Sequence, residues 1–242
     1  MFGTLRAVGG GTLPAVLPDR APVLATARVL PVPEPLAPLL VGAGLRRGSL
    51  VGVSGPGGTS LLLSLLAEPL AQGSWAGVVG LGDLGLEAAA GFGVELARVA
   101  LIPDPGAHWT AVVAVLLDAV DLVALRPPGY CRPPDARRLT ARARERGSTL
   151  LVVSGRTAWP EAPDVELIAE SDGWGGLEVG SGTLRRRPAR IVVSGRRAAA
   201  RSRSATCWLP GPDGKLSPRR SREAPTLAAM SREDPETEPW AG

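Results

Sequence analysis

The sequence predicts an α/β fold with a mainly parallel sheet, flanked by helices and continued at its C-terminal end by antiparallel strands. Three observations carry that expectation. Short, unbroken apolar runs recur, such as Val99-Ala100-Leu101-Ile102 and Thr149-Leu150-Leu151-Val152-Val153, and runs of this kind mark strands buried on both faces. Helical stretches separate them through short connections, which calls for right-handed crossovers between parallel strands. Beyond Ser154 the apolar runs continue while the helices stop.

The elements follow in order. Residues 1–33 are rich in Gly and Pro without a sustained period and read as a poorly ordered lead-in. Residues 34–209 form the predicted domain. Pro35–Val41 is a short apolar segment that meets the turn Gly44-Leu45-Arg46-Arg47-Gly48. Leu50–Ser54 reads as the first core strand and Leu61–Gln72 as a helix. Ala76–Leu81 is the second strand, with a helix near Leu86–Leu96. Val99–Ile102 is the third, followed by a helix over Trp109–Leu117. Val120–Leu125 is the fourth. An arginine-rich helix over Pro134–Arg146 precedes the fifth, Thr149–Ser154. Val165–Ala169, Leu177–Gly180, Ala189–Ser194 and Thr206–Leu209 lack intervening helices and are expected to make the antiparallel extension. From Pro210 to Gly242 the chain is polar and Pro-rich, the composition of a disordered tail.

Composition bounds the function. A chain of 242 residues has room for one sizeable core plus tails. Aromatic residues make up 4% of it, so the core must be built from Ala, Val and Leu. Lys215 is the only lysine, and the remaining basic residues behind the net charge of +4 are arginines. The nucleotide composition of the genome explains that bias more simply than function does. Cys131 and Cys207 have neither metal-type spacing nor the pattern of a disulfide framework. No secretory signal is visible over Met1–Arg6, and Val112–Leu125 is too short and too charged to cross a bilayer. A reduced, cytoplasmic protein without membrane insertion is expected.

The sharpest local feature is Gly55-Pro56-Gly57-Gly58-Thr59-Ser60, which follows an apolar strand and opens a helix. Backbone N–H groups and a helix N-terminus can cradle an anion in that setting. A working phosphate loop also places a lysine on the β- and γ-phosphates and a Ser or Thr on Mg²⁺. Here Thr59 stands where the lysine belongs, and the loop is about two residues short of the usual length. Taken alone, a Gly-Pro-Gly-Gly turn before a helix is more simply just a turn.

The neighbouring segments add weight. Val79–Leu86, Phe92–Pro105, Val120–Leu125, Thr149–Gly155 and the turn Gly44–Gly48 together resemble the recombinase RecA in order and spacing. Within that superfamily the chain looks closest to the accessory proteins of the ImuA type, and its Ala/Arg/Gly-rich composition suits their actinobacterial versions. The resemblance covers about residues 36–195 and implies a RecA-like core of P-loop type. It also implies a role beside the Y-family polymerase relative ImuB in translesion synthesis, with ImuB as protein partner. Its departures are informative. Asp83 falls where the family has a glutamate that activates water. Arg126 falls where an ATPase places the Mg²⁺-holding aspartate, and Gly155 at the approximate position of a nucleotide-sensing glutamine. Without the lysine, the metal carboxylate and the sensor, most of the electrostatic stabilisation of phosphoryl transfer is gone. The expectation is a non-catalytic adaptor with no cofactor and no metal site.

Two further functions stay open. Arg185, Arg186, Arg187, Arg190, Arg196, Arg197, Arg201 and Arg203 lie in a stretch with no acidic residue between Glu178 and Asp213. Such a stretch suits salt-sensitive nucleic-acid binding, with a solvated edge as the equally simple alternative. The helix arginines Arg137, Arg138, Arg142, Arg144 and Arg146 would extend the patch. The third function is a regulator that binds nucleotide without hydrolysing it. In the tail, Arg219, Arg220, Arg222 and Trp240 are candidate contacts for a partner's groove. His108, the only histidine, reads as a loop or cap residue, and Cys131 as incidental. Asp118, Asp121 and Asp135 show no pairing that spacing alone supports.

Overall fold

The computed structural model describes residues 28–153, 159–171, 173–178, 181–196 and 202–219. The fold is mixed α/β, and its centre is a nine-stranded sheet. Strands β3 (Leu50–Ser54), β4 (Ala76–Val79), β5 (Val99–Ile102), β6 (Leu122–Leu125), β7 (Thr149–Val153) and β8 (Val165–Ser171) are mutually parallel. Strands β11 (Pro188–Ser194), β12 (Arg203–Trp208) and β13 (Ser217–Pro218) continue it antiparallel. The order across the sheet is β13-β12-β11-β8-β3-β7-β6-β4-β5. Two hairpins stand apart, β1 (Val29–Leu30) with β2 (Leu45–Arg46) and β9 (Gly175–Glu178) with β10 (Ser181–Arg186).

The unbroken apolar character of β3, β4, β6 and β7 has the predicted cause. Helix α1 (Gly58–Ala71) and helix α2 (Leu86–Gly91) close one face, where Leu61, Leu62, Leu65 and Leu66 pack against Val51, Val53, Val78 and Leu151. Helix α3 (Trp109–Ala119) and helix α4 (Pro133–Arg146) close the other, where Val113, Leu117, Leu139 and Ala143 meet Leu50, Val123 and Leu150. At about 25 cal/mol per Å² of apolar surface removed from water, these two cores dominate folding.

Helix α4 shows its sequence logic plainly. Pro133 enters the first turn, where its missing N–H costs nothing, and Gly147 ends the helix in the left-handed region at φ 65°. Ala136, Leu139, Thr140 and Ala143 are buried at helical spacing, which leaves the arginines on the outer side.

Three sequence expectations need correction. The run Val165–Ala169 belongs to the parallel part: β8 lies beside β3 in parallel although no helix precedes it among the described residues. The helix expected to reach Leu96 stops at Gly91, and Gly93, at φ 89°, turns the chain into a short 3-10 turn over Leu96–Arg98. The packed chain also extends past both predicted boundaries. Leu30 is fully buried ahead of residue 34, and Leu216 is buried beyond residue 209. Ser154, Val179 and Gly180, the ends of two predicted strands, lie outside the described residues.

Candidate functional site at the carboxyl ends of the parallel strands

Strand β3 delivers the glycine loop, and α1 begins at its last glycine. Only Gly55, Pro56 and Gly57 separate the strand from the helix. Gly55 has φ 91°, and a Cβ there would lie 2.5 Å from the carbonyl oxygen of Ala169 in β8. No residue with a side chain fits that approach. Gly57 donates its N–H to that same carbonyl at 3.1 Å, and Gly58 donates to Gly55 at 2.9 Å. Two amides of the turn are thereby bonded to the chain's own carbonyl groups.

A side chain from the far end of the sequence also reaches this turn. Arg187, between β10 and β11, donates from Nη2 to the hydroxyl of Ser60 at 3.1 Å and from Nε to the Leu209 carbonyl at 3.1 Å. Its guanidinium also lies 5.0 Å from the ring of Trp174. Removal from water holds its pKa below the usual arginine value. Thr59 points to solvent beside it.

Past the ends of β4 and β6, Asp83 and Arg126 meet. Arg126 donates from Nη1 to Asp83 Oδ1 at 2.6 Å. Gly80 makes this possible. It sits at φ 74° with its α-carbon so close to the Arg126 carbonyl that a Cβ would collide, and its N–H donates to Ile102 at 3.0 Å. Asp83 is 72% exposed, so the pair adds at most ~1 kcal/mol to stability. Its consequence is chemical: the carboxylate of Asp83 is committed to a guanidinium. Gly155 lies outside the described residues.

The arginines anticipated as one nucleic-acid patch are distributed differently. Strand alternation sends Arg190 and Arg203 to opposite faces of the sheet, since Arg203 stands opposite Val193 and Arg190 opposite Thr206. Arg190 lies 3.9 Å from Glu170, and Arg203 donates to the Pro38 carbonyl at 3.2 Å. Arg187 turns inward to the glycine loop. Arg196 is exposed after β11. Arg197 and Arg201 lie outside the described residues, as do Arg220, Arg222 and Trp240, and the described part of Arg185 is its backbone. On α4, Arg142 and Arg146 converge on Asp118 of α3, Arg138 pairs with Asp135, and Arg144 lies 3.6 Å from Asp164. The Arg142 hydrogen bond chiefly holds the Asp118 carboxyl below its ordinary range, against a smaller opposing effect of burial. Arg137 is exposed.

His108 ends a 3-10 turn directly before α3, at the cap position. Cys131 is buried, and burial with the nearby carboxylates of Asp135 and Glu161 pushes its thiol up to about 11. What sequence reasoning missed was a tryptophan stacked with two arginines. Trp208 carries Arg186 at 4.6 Å and Arg219 at 5.0 Å from its ring centroid. The signal was present in the scarcity of aromatics, since a tryptophan beside an arginine-rich strand is a natural stacking platform.

Sheet order, the turn from β3 into α1 and the antiparallel continuation define a RecA-like α/β fold. The structure is similar to that of the RadB recombinase, with a TM-score of 0.56 and 18% sequence identity, over 77% of this chain and 97% of that one. The chain belongs to the family described as the MT3502 N-terminal domain, whose model matches residues 38–161. It is 48% identical over 100 residues to the uncharacterized protein Rv3395c of Mycobacterium tuberculosis. That match covers 41% of this chain and 49% of the relative, so the chain spans about half the length of the curated protein it matches. Among the described residues, no helix is long and apolar enough to cross a membrane.

Proposed function

We propose that this chain is a non-catalytic, RecA-like adaptor in DNA repair, working in translesion synthesis by binding a Y-family polymerase-like protein of the ImuB type. The observation that carries the reading is the Arg126–Asp83 ion pair. An ATPase needs two acidic groups at these strand ends, one for water and one for Mg²⁺. Here one position is cationic and neutralises the other. Arg187 on Ser60 supports the same reading, because the hydroxyl aligned with the metal-binding Ser of a phosphate loop is engaged by a fixed cation. The fold likeness to a recombinase and the resemblance to the ImuA type direct the reading to DNA repair and to the cytoplasm.

The test is affinity capture of the tagged full-length chain from its own cells after DNA damage, beside a version ending at Pro210. The adaptor reading expects recovery of a Y-family polymerase-like protein. Steady ATP turnover abolished by Thr59→Ala or Asp83→Ala would falsify the non-catalytic part. The separation of Arg190 from Arg203 weighs against one nucleic-acid surface over Arg185–Arg203, and no observation favours nucleotide binding over the adaptor.

A further inference from the structure

A cavity of about 390 Å³, counted out to its open mouth, lies between α1, the turn after α2 and the turn that leads into β13. Pro33, Ser64, Ala67, Phe92 and Leu216 make its buried floor. Glu68, Ala71 and Lys215 stand exposed at its rim. The lining includes none of Gly55–Ser60, Asp83 or Arg126.

Lys215 sets the cavity apart. It is the only lysine among 27 lysines and arginines, so the arginine bias of the chain stops at this one position. Its turn is closely bonded. Gly211 donates to the Lys215 carbonyl at 2.6 Å, Gly214 donates to Gly211 at 3.0 Å, and the Lys215 N–H donates to Asp213 Oδ1 at 3.2 Å. The side chain then runs over Gly93, where a Cβ would lie 3.2 Å from Cε and 3.6 Å from Nζ. Gly93, at φ 89°, thus leaves room for an ammonium group at the mouth. Lysine brings a compact charge with three freely turning donors, where arginine would bring a wider planar fork. Among the described residues, neither the Lys215 ammonium nor the Glu68 carboxylate makes an ion pair, although both border the same mouth.

We propose that this cavity binds a free α-amino acid with an apolar side chain, such as leucine. Lys215 holds the ligand's carboxylate, Glu68 holds its ammonium group, and its side chain enters the floor formed by Ala67, Phe92 and Leu216. The inference goes beyond the adaptor reading and does not depend on it.

Three arguments support it. A concave, mainly apolar site with a few polar groups is the usual form of a small-ligand site, and its volume falls within the common range of roughly 300–1,000 Å³. Two opposite charges at one mouth, neither answered by the chain, call for a ligand that carries both. A hydrocarbon would leave both unanswered, and a phosphate would be repelled by Glu68. Ser64 spends its hydroxyl proton on the Ser60 carbonyl at 2.9 Å, so its oxygen is left as an acceptor, which suits an ammonium group rather than a second anion.

The experiment titrates the nitrogen-15-labelled full chain and follows the amide resonances of Gly93 and Leu216. Leucine is compared with isocaproate, which lacks the ammonium group, and with isoamylamine, which lacks the carboxylate. The expected result is a saturable shift with leucine, and binding at least about tenfold weaker, or ~1.4 kcal/mol, for either analogue. In Lys215→Met leucine should bind no better than isoamylamine, and in Glu68→Gln no better than isocaproate. Ala71→Leu at the rim should block the mouth, and the control Arg137→Glu on α4 should bind as the unaltered chain does. Each variant is first checked for an unaltered thermal unfolding transition, and Lys215→Gln replaces Lys215→Met if that variant unfolds early.

Absent saturable shifts with leucine, valine and phenylalanine overturn the proposal. An analogue that binds as well as leucine overturns it too, as does leucine binding that is equal in all variants. Tighter binding by a leucine peptide with both ends blocked, displacing free leucine, would make the cavity a docking pocket for a protein and would also overturn it.

Discussion

Arg187 and Ser60, separated by 127 residues in the chain, are joined by a hydrogen bond of 3.1 Å that ties the antiparallel end of the sheet to the first turn of α1. A cation at a helix N-terminus opposes the helix dipole, and Arg187 is also partly withdrawn from water. Its retention there is an electrostatic cost offset by two hydrogen bonds, to Ser60 and Leu209, and by stacking on Trp174.

Arg187→Met is therefore expected to change stability by less than about 1 kcal/mol, because lost hydrogen bonds and relieved desolvation nearly cancel. Arg187→Asp should be clearly worse, since a carboxylate cannot donate to the Leu209 carbonyl and would be repelled by it. Urea unfolding of the two variants measures the difference, and equal losses would show that the charge at this place is unimportant.

This contact marks the limit of what the sequence discloses. Local pattern is enough to find β5 to the residue, to place α4 within one residue, and to place Gly55–Ser60 at the passage from a strand into a helix. It says nothing of which strand lies beside which. The run Val165–Ala169 looks the same whether β8 runs with or against β3, and the hydrogen-bond ladder that decides this is not local. The Asp83–Arg126 pair needed the order β6-β4-β5 before its two members could meet. The spacing of the arginines is hidden for a related reason: alternation along a strand sends Arg190 and Arg203 to opposite faces, so density in sequence is not density in space.

A second relationship governs stability at the amino ends of β3, β4 and β6. Asp121, 2% exposed, pairs with Arg47 at 2.8 Å and also accepts the Trp75 N–H at 3.0 Å. Asp121→Ala leaves a buried guanidinium without its counter-charge and a backbone donor without an acceptor. The expected loss is about 3–5 kcal/mol in urea unfolding. Nε and Nη2 of Arg47 have no hydrogen-bond partner, so this guanidinium is already under-satisfied. The double variant Arg47→Met/Asp121→Asn should recover part of the loss, and a double variant as unstable as Asp121→Ala would mean the charge was not the cause.

The buried thiols make stability depend on alkaline pH. Cys207 lies on the core side of β12, and burial pushes it up from 9.0 to about 12. Its folded value is raised, so the native state holds the proton more firmly than the unfolded chain does. The contribution is complete below pH 9 and is lost progressively between about pH 9 and about pH 12, at up to ~1.4 kcal/mol per pH unit. Cys207→Ala should flatten the alkaline arm of the stability profile while lowering stability at pH 7 through lost packing. Native protein at pH 7 should also leave a thiol-specific disulfide reagent unreacted until it is unfolded. Rapid labelling of either cysteine in the native state would show that the core opens more readily than this packing allows.

The last prediction bears on the proposed non-catalytic reading and asks whether side chains or backbone would keep the glycine loop from acting on ATP. Thr59→Lys with Arg126→Asp returns the two charged groups that an ATPase would have at these positions. Side-chain loss alone would let the double variant bind ATP and turn it over, if slowly, because each restored contact is of the kind that supplies several kcal/mol in phosphoryl transfer. The geometry argues otherwise. Three residues span the gap from β3 to α1, Gly57 is bonded to Ala169, and Arg187 sits on Ser60. The double variant should therefore show no ATP turnover above buffer and no heat on titration with millimolar ATP or ADP. Adding Arg187→Met should not change that result, since the short turn remains. Turnover in the double variant would mean that the loop can still open around a triphosphate, and it would return the chain to the nucleotide-dependent proteins.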